Sequence, residues 1–226
     1  QESNPIRLIK DFKHCFHTLW KDRLGQISLA VTTLFWGAGA TLQFIVLKWA
    51  ESALGMSLSQ GAILQAVVAF GVAGGAIYAA ARTPLKKALG VLKYGVMMGA
   101  LVMIMAIYRK DLLPDVSVDL GLFSIPLYLF ITYIFLITIG WMSGYFVVPM
   151  NALLQHRGHV LLSAGHSIAV QNFNENIGIL VLLGIYTLMK HQNLAINAIL
   201  VIFGLFVSLA MAIIYKLYQK HAPAKL

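Results

Sequence analysis

Charge is what this sequence has least of. Asp, Glu, Lys and Arg make up 11% of its 226 residues, where a soluble domain carries about 25%. A water-facing surface for a body this size cannot be built from so few charges, which excludes an ordinary soluble domain. Cysteine is nearly absent: Cys15 stands alone, so an intramolecular disulfide and a thiolate cluster for zinc or iron–sulfur are both ruled out. The seven histidines never recur at a metal-ligand spacing. A P-loop, a Rossmann glycine pattern, a His-Glu-x-x-His pair and a Gly-x-Ser-x-Gly elbow are all missing. ATP hydrolysis and covalent catalysis have no residues to carry them. The chain therefore reads as a non-enzyme that needs neither metal nor cofactor.

What is abundant is apolar: 59% of the residues belong to the AVILMFWYC set, and mean hydropathy is +0.79. Six runs are each long enough to cross a hydrocarbon layer of about 30 Å: 27–49, 60–81, 88–108, 123–149, 165–189 and 194–218. The expected fold class is an all-α membrane protein, a six-helix transmembrane bundle over residues 25–220. Short punctuated loops (Arg82-Thr83-Pro84, Leu113-Pro114-Asp115, His156-Arg157-Gly158-His159) leave no room for a soluble domain between the spans. Gln1 opens the chain without a methionine or an apolar signal core, and reads as the edge of something longer.

Asn4-Pro5 is a helix-start pair. On a helical wheel Leu8, Ile9, Phe12, Phe16, Leu19, Trp20 and Leu24 share one face, opposite Arg7, Lys10, Asp11, His14, Lys21 and Asp22. Residues 1–24 are thus expected to form an amphipathic helix, lying in the membrane interface or linking two halves of a larger protein. Of the 17 Lys and Arg residues, only Lys48, Arg109, Lys110 and Lys190 fall on the side away from the termini. The positive-inside rule then makes both termini cytoplasmic, with a tail at 221–226. Lys48-Trp49 reads as an interface anchor.

Seven of the eight carboxylates fall in the terminal segment or at the outer face, and Glu175 alone lies within a span. Counted from Gly165 it sits roughly 15 Å into the membrane, where an ionised side chain is costly unless it faces protein or water. Gln171, Asn172 and Asn176 fall on the same arc of the helix. This polar face points to a substrate or ion pathway; bonding between helices is the alternative use of such amides. Thr32, Trp36, Gly39 and Gln43 form a second stripe, suited to a ligand with polar and apolar parts or to close packing. Gly71-x-x-x-Gly75 with Ala79, and Gly95-x-x-x-Gly99, are packing faces. Met97, Met98, Met103 and Met105 read as lipid-facing filler. Pro149 and Asn151 are expected to end the fourth span and support a gate.

The segments Gly144-Tyr145-Phe146-Val147-Val148-Pro149-Met150-Asn151-Ala152-Leu153-Leu154-Gln155 and Ala164-Gly165-His166-Ser167-Ile168-Ala169-Val170-Gln171-Asn172-Phe173-Asn174-Glu175-Asn176 are more specific than any composition. Together with Leu34-Phe35-Trp36-Gly37-Ala38-Gly39-Ala40-Thr41-Leu42-Gln43-Phe44, they resemble the bacterial lysophospholipid transporter family of the major facilitator superfamily. The likeness covers the C-terminal six-helix half of that twelve-helix architecture, a three-plus-three inverted repeat. A Trp-x-x-Gly at Trp36 and again at Trp141 is a faint echo of such a repeat.

The resemblance implies an ATP-independent transporter that moves lysophosphatidylethanolamine and lysophosphatidylglycerol across the bacterial inner membrane toward the cytoplasmic leaflet. Its implied partners are the missing N-terminal six-helix half, membrane lipid, and a membrane-associated acyltransferase/acyl-carrier-protein synthetase that reacylates the product; no nucleic acid is implied. A transporter of a small soluble or drug-like substrate, with Glu175 as its proton site, and a non-transporting scaffold for the acyltransferase are the rival readings.

Overall fold

The structure is a computed structural model, described here for residues 5–121 and 124–220. Seven helices follow one another: α1 (Pro5–Lys21), α2 (Arg23–Leu54), α3 (Leu58–Arg82), α4 (Leu92–Met105), α5 (Leu127–Leu161), α6 (Ala164–His191) and α7 (Ile196–Lys220). A 3₁₀ segment, Leu85–Val91, leads directly into α4. With it, α4 joins α2, α3, α5, α6 and α7 as six helices long and apolar enough to cross a membrane. The Asn4 cap, the expected start of the fourth span at Phe123 and the tail at 221–226 lie outside the described residues.

Helix ends follow local chemistry. Asp22 caps α2 by accepting from the Gly25 N–H at 2.8 Å. Gly55 closes the same helix with φ +65°, a left-handed conformation suited to glycine. Ser57 and Gln60 make a reciprocal capping box at the start of α3. Between α4 and α5 a two-stranded antiparallel hairpin, β1 (Ser117–Asp119) and β2 (Ser124–Pro126), pairs Ser117 with Pro126. Strands of three residues are too short for alternation to announce them.

Two spans outrun their apolar cores. α2 and α5 are 32 and 35 residues long, or about 48 and 52 Å at 1.5 Å per residue, against a hydrocarbon layer of about 30 Å. Pro149 and Asn151 therefore do not end the fourth span, contrary to expectation: Pro149 is buried inside α5, which runs on through Gln155, His156 and Arg157 to Leu161. Proline removes one helical hydrogen bond without ending the helix, because neighbouring helices hold the backbone in place.

Three helix pairs carry the bundle: α3 with α5, α4 with α7, and α2 with α6. All three are glycine crossings. On α3, Gly71 and Gly75 meet the α5 backbone at Ile137 and Trp141, while Gly140 and Gly144 of α5 meet the α3 backbone at Val68 and Val72. Gly99 and Gly204 face each other between α4 and α7, where the Ser208 hydroxyl donates to the Val96 carbonyl at 2.9 Å. Gly37 lies on Gly178 between α2 and α6. The glycine motifs of the second and third spans thus pack helices, as their spacing implies. Two expectations change. Met98 and Met105 are buried in the core rather than turned to lipid. Trp49 is buried too, its indole N–H donating to the Met105 carbonyl at 3.0 Å, so it ties α2 to the end of α4 and is no interface anchor.

Replacing Gly75 by Leu places a side chain against the α5 backbone at Trp141 and Tyr145. Overpacking of this kind costs about 1–3 kcal/mol. At the adjacent Gly74 the nearest atom to an added Cβ is the Trp141 ring at 3.7 Å. In detergent unfolding, Gly75→Leu is therefore expected to lower stability by that amount and Gly74→Leu to leave it near wild type.

Candidate functional site

The fifth span, α6, carries the polar residues that the sequence singles out, and the structure separates them into two groups. Gln171 is buried, and its side-chain amide donates both to Glu175 Oε1 at 2.8 Å and to Asn151 Oδ1 of α5 at 3.2 Å. These three form a polar seam between two helices. Asn151 lies ten residues before the end of α5 and Glu175 eleven after the start of α6, so both stand roughly 15 Å along their helices from the shared connection. Asn172 and Asn176 are exposed on the outer face of α6, among exposed Phe173, Ile177 and Leu180. The Asn176 amide donates to the Asn172 carbonyl at 2.7 Å, leaving its side-chain oxygen turned outward for another partner. Asn174, on the inner face, is buried and bonds the Val170 carbonyl at 2.8 Å.

The stripe on α2 does not converge on this seam as one unit. Thr32 is fully buried and its hydroxyl donates to the Leu29 carbonyl at 3.2 Å. Trp36 is 42% exposed and sits edge-on to Phe35, which stacks on Phe146 of α5. Gly39 has open space where a side chain would be, and Gln43 is exposed, its backbone carbonyl accepting from Gln65 of α3 at 3.0 Å. Trp36, Gly39 and Gln43 thus lie along an open face of α2 while Thr32 belongs to the core.

At the end of the bundle that bears α1, the structure adds a feature that sequence reasoning missed. Arg157 near the end of α5 grips Asp22 through two bonds, Nε to Oδ2 at 2.9 Å and Nη2 to Oδ1 at 2.5 Å. Both side chains are about four-fifths shielded from solvent. Burial alone would raise the Asp22 carboxyl, but the Arg157 bonds and the Gly25 N–H outweigh it and hold it below the usual carboxylate range. Only the capping role of Asp22 was open to sequence reading; its partner lies 135 positions away. Beside this pair, Cys15 and Leu19 of α1 are buried against Leu29, Leu154 and Val170, and the Phe12 ring meets Phe173 edge-on at 5.2 Å. The apolar stripe of α1 is therefore covered largely by the bundle itself, while Leu8 and Ile9 remain exposed.

Six apolar helices and a mid-span polar seam define a multi-pass helical membrane protein. The chain is 35% identical over 222 residues to the lysophospholipid transporter LplT of Shigella boydii serotype 4, and to the LplT proteins of Escherichia coli O139:H28 and of strain K12 / DH10B. Those alignments cover 98% of this chain and 51% of each relative, so the chain spans about half the length of the curated relatives it matches. The resemblance carried by the motifs at 144–176 thus extends over nearly every residue. No family model and no solved structure matches the chain.

Because the Asp22 carboxyl is depressed in the folded chain, the pair is fully formed at neutral pH and is lost as pH falls through that lowered value, beneath the ordinary ~3.9. Arg157→Gln is expected to cost about 1.5–3 kcal/mol at pH 7, the range for hydrogen bonds to charged groups. Unfolding measured from pH 7 downward should show the wild type converging on the variant only in acid.

Proposed function

We propose that this chain is one six-helix half of a major-facilitator lysophospholipid transporter, the C-terminal half, and that with its other half it moves lysophosphatidylethanolamine and lysophosphatidylglycerol across the bacterial inner membrane toward the cytoplasmic leaflet. The relatives' name supports the substrate class. The pairing pattern supports the half-fold. Exchanging the triplets α2-α3-α4 and α5-α6-α7 turns the α2–α6 pair into α5–α3 and returns α4–α7 to itself, as an inverted repeat requires.

The observation that carries the reading is the arrangement on α6. A headgroup presents donors, an ammonium in one substrate and glycerol hydroxyls in the other, and a phosphate that accepts. Glu175 supplies the acceptor for the first and the exposed amides of Asn172 and Asn176 supply donors for the second, while Ile177 and Leu180, exposed on α6, offer apolar contact to the single acyl chain. Gln171 and Asn151 hold the carboxylate in place from behind. An ionised group and open amides at this depth are expensive against lipid alone, so this face is completed by a second six-helix body or by water in a pathway. Trp36, Gly39 and Gln43 belong to the same pathway as a second open face. Both termini of the chain are cytoplasmic in this reading, and the product passes to a membrane-associated acyltransferase/acyl-carrier-protein synthetase.

The test is uptake of labelled lysophosphatidylethanolamine by spheroplasts making this chain together with an N-terminal six-helix half of a lysophospholipid transporter. Uptake is expected only when both halves are present, and Glu175→Gln should lower it about tenfold with insertion unchanged. Undiminished uptake by the Glu175→Gln variant would remove the carboxylate from the pathway. Competition by soluble solutes but not by unlabelled lysophospholipid would favour a soluble-substrate transporter instead.

A further inference from the structure

We propose that a groove between the first turns of α2 and the last turns of α7 binds an anionic two-chain phospholipid, at a site separate from the polar seam. The groove encloses about 450 Å³ and is lined by Trp20, Arg23, Gln26, Ala30, Ile214 and Leu217 among others. Its polar side chains, Trp20, Arg23 and Gln26, come from the end of α1 and the first turn of α2; Ile27, Ala30, Ile214 and Leu217 make the apolar wall. Among the described residues no carboxylate lines it.

Charge sets the occupant. Asp22 adjoins Arg23 in sequence but is fully engaged, both carboxylate oxygens with Arg157 and one also with the Gly25 N–H. Among the described residues no ion pair involves Arg23, which is exposed, as are Lys21, two positions before it, and Lys216, next to Leu217. Among the described residues the cation therefore stands without a counter-charge at the mouth of an apolar slot.

Depth argues for lipid rather than a soluble anion. Arg23 opens α2 and Leu217 lies three residues from the end of α7, so the mouth sits at the helix ends, where headgroups lie, and the walls descend toward the acyl region. A soluble phosphate would gain one cation and leave the slot empty; a lipid fills both, with its phosphate on the Arg23 fork and a chain against Ala30 and Ile214. Because the groove belongs to α2, α7 and the end of α1 and the seam to α5 and α6, this site stands whether or not the transport reading does.

Native mass spectrometry of the full chain, delipidated in mild detergent and titrated with phosphatidylglycerol or phosphatidylcholine of matched chains, tests it. Phosphatidylglycerol is expected to be retained at least fivefold better. Arg23→Gln should abolish that preference, and Ala30→Phe, which fills the slot without altering charge, should lower retention about fivefold, both with unchanged circular dichroism. Arg23→Lys should keep most of the binding, and Arg82→Gln, a change of equal charge at the end of α3, should keep all of it. Equal retention of the two lipids, wild-type binding by Arg23→Gln, an equal loss on Arg82→Gln, or displacement of the lipid by inorganic phosphate would each overturn the proposal.

Discussion

Helices surrounded by lipid gain no hydrophobic free energy by touching one another, since the acyl chains are as apolar as the side chains they would replace. What holds such a bundle together is the closeness of backbone approach, and this chain obtains it with glycine. At the α3–α5 crossing the small residues are reciprocal, Gly71 and Gly75 on one helix and Gly140 and Gly144 on the other, each lying on the partner's main chain. The crossings at Gly99 with Gly204 and at Gly37 with Gly178 repeat the device in the remaining pairs. Close packing at these points fixes which helix faces point outward, and so where the polar residues of α6 can stand.

The polar seam is a consequence of that constraint. With α2 drawn onto α6 at Gly178, the inner side of α6 turns Asn174 into the core and the outer side keeps Asn172 and Asn176 open. Gln171 lies between the two sides and is the one amide able to reach both Asn151 and Glu175. Its side chain is spent on holding other polar groups, whereas the outer amides have capacity to spare.

Much of this was legible in the sequence, for physical reasons that also mark where legibility stops. Hydropathy finds a span because the hydrocarbon layer demands a run of apolar residues, so six helices follow from composition along the chain. It does not find helix ends, because neighbouring helices can hold the backbone past an internal proline; α5 therefore runs from Pro149 on to Leu161, past its expected end. Glu175 and its amides were legible because a carboxylate within an apolar run is conspicuous. Trp49 was misread since Lys48 beside it suggests an interface, while its partner, the Met105 carbonyl, is supplied by a helix 56 positions away. The Asp22–Arg157 pair had no local signature at all: each residue alone is an ordinary charge beside a helix end.

α5 gathers these elements onto one helix. Its first half is clamped to α3 at Gly140 and Gly144; its second half carries Asn151 into the seam and Arg157 to Asp22. Between the two halves stands Pro149, whose missing N–H leaves the carbonyl four residues back without its helical bond. Burial of Pro149, Met150, Leu153 and Leu154 against the bundle keeps the helix continuous past that missing bond. The ion pair at the helix end and the amide contact within the bundle are therefore two holds on the same segment.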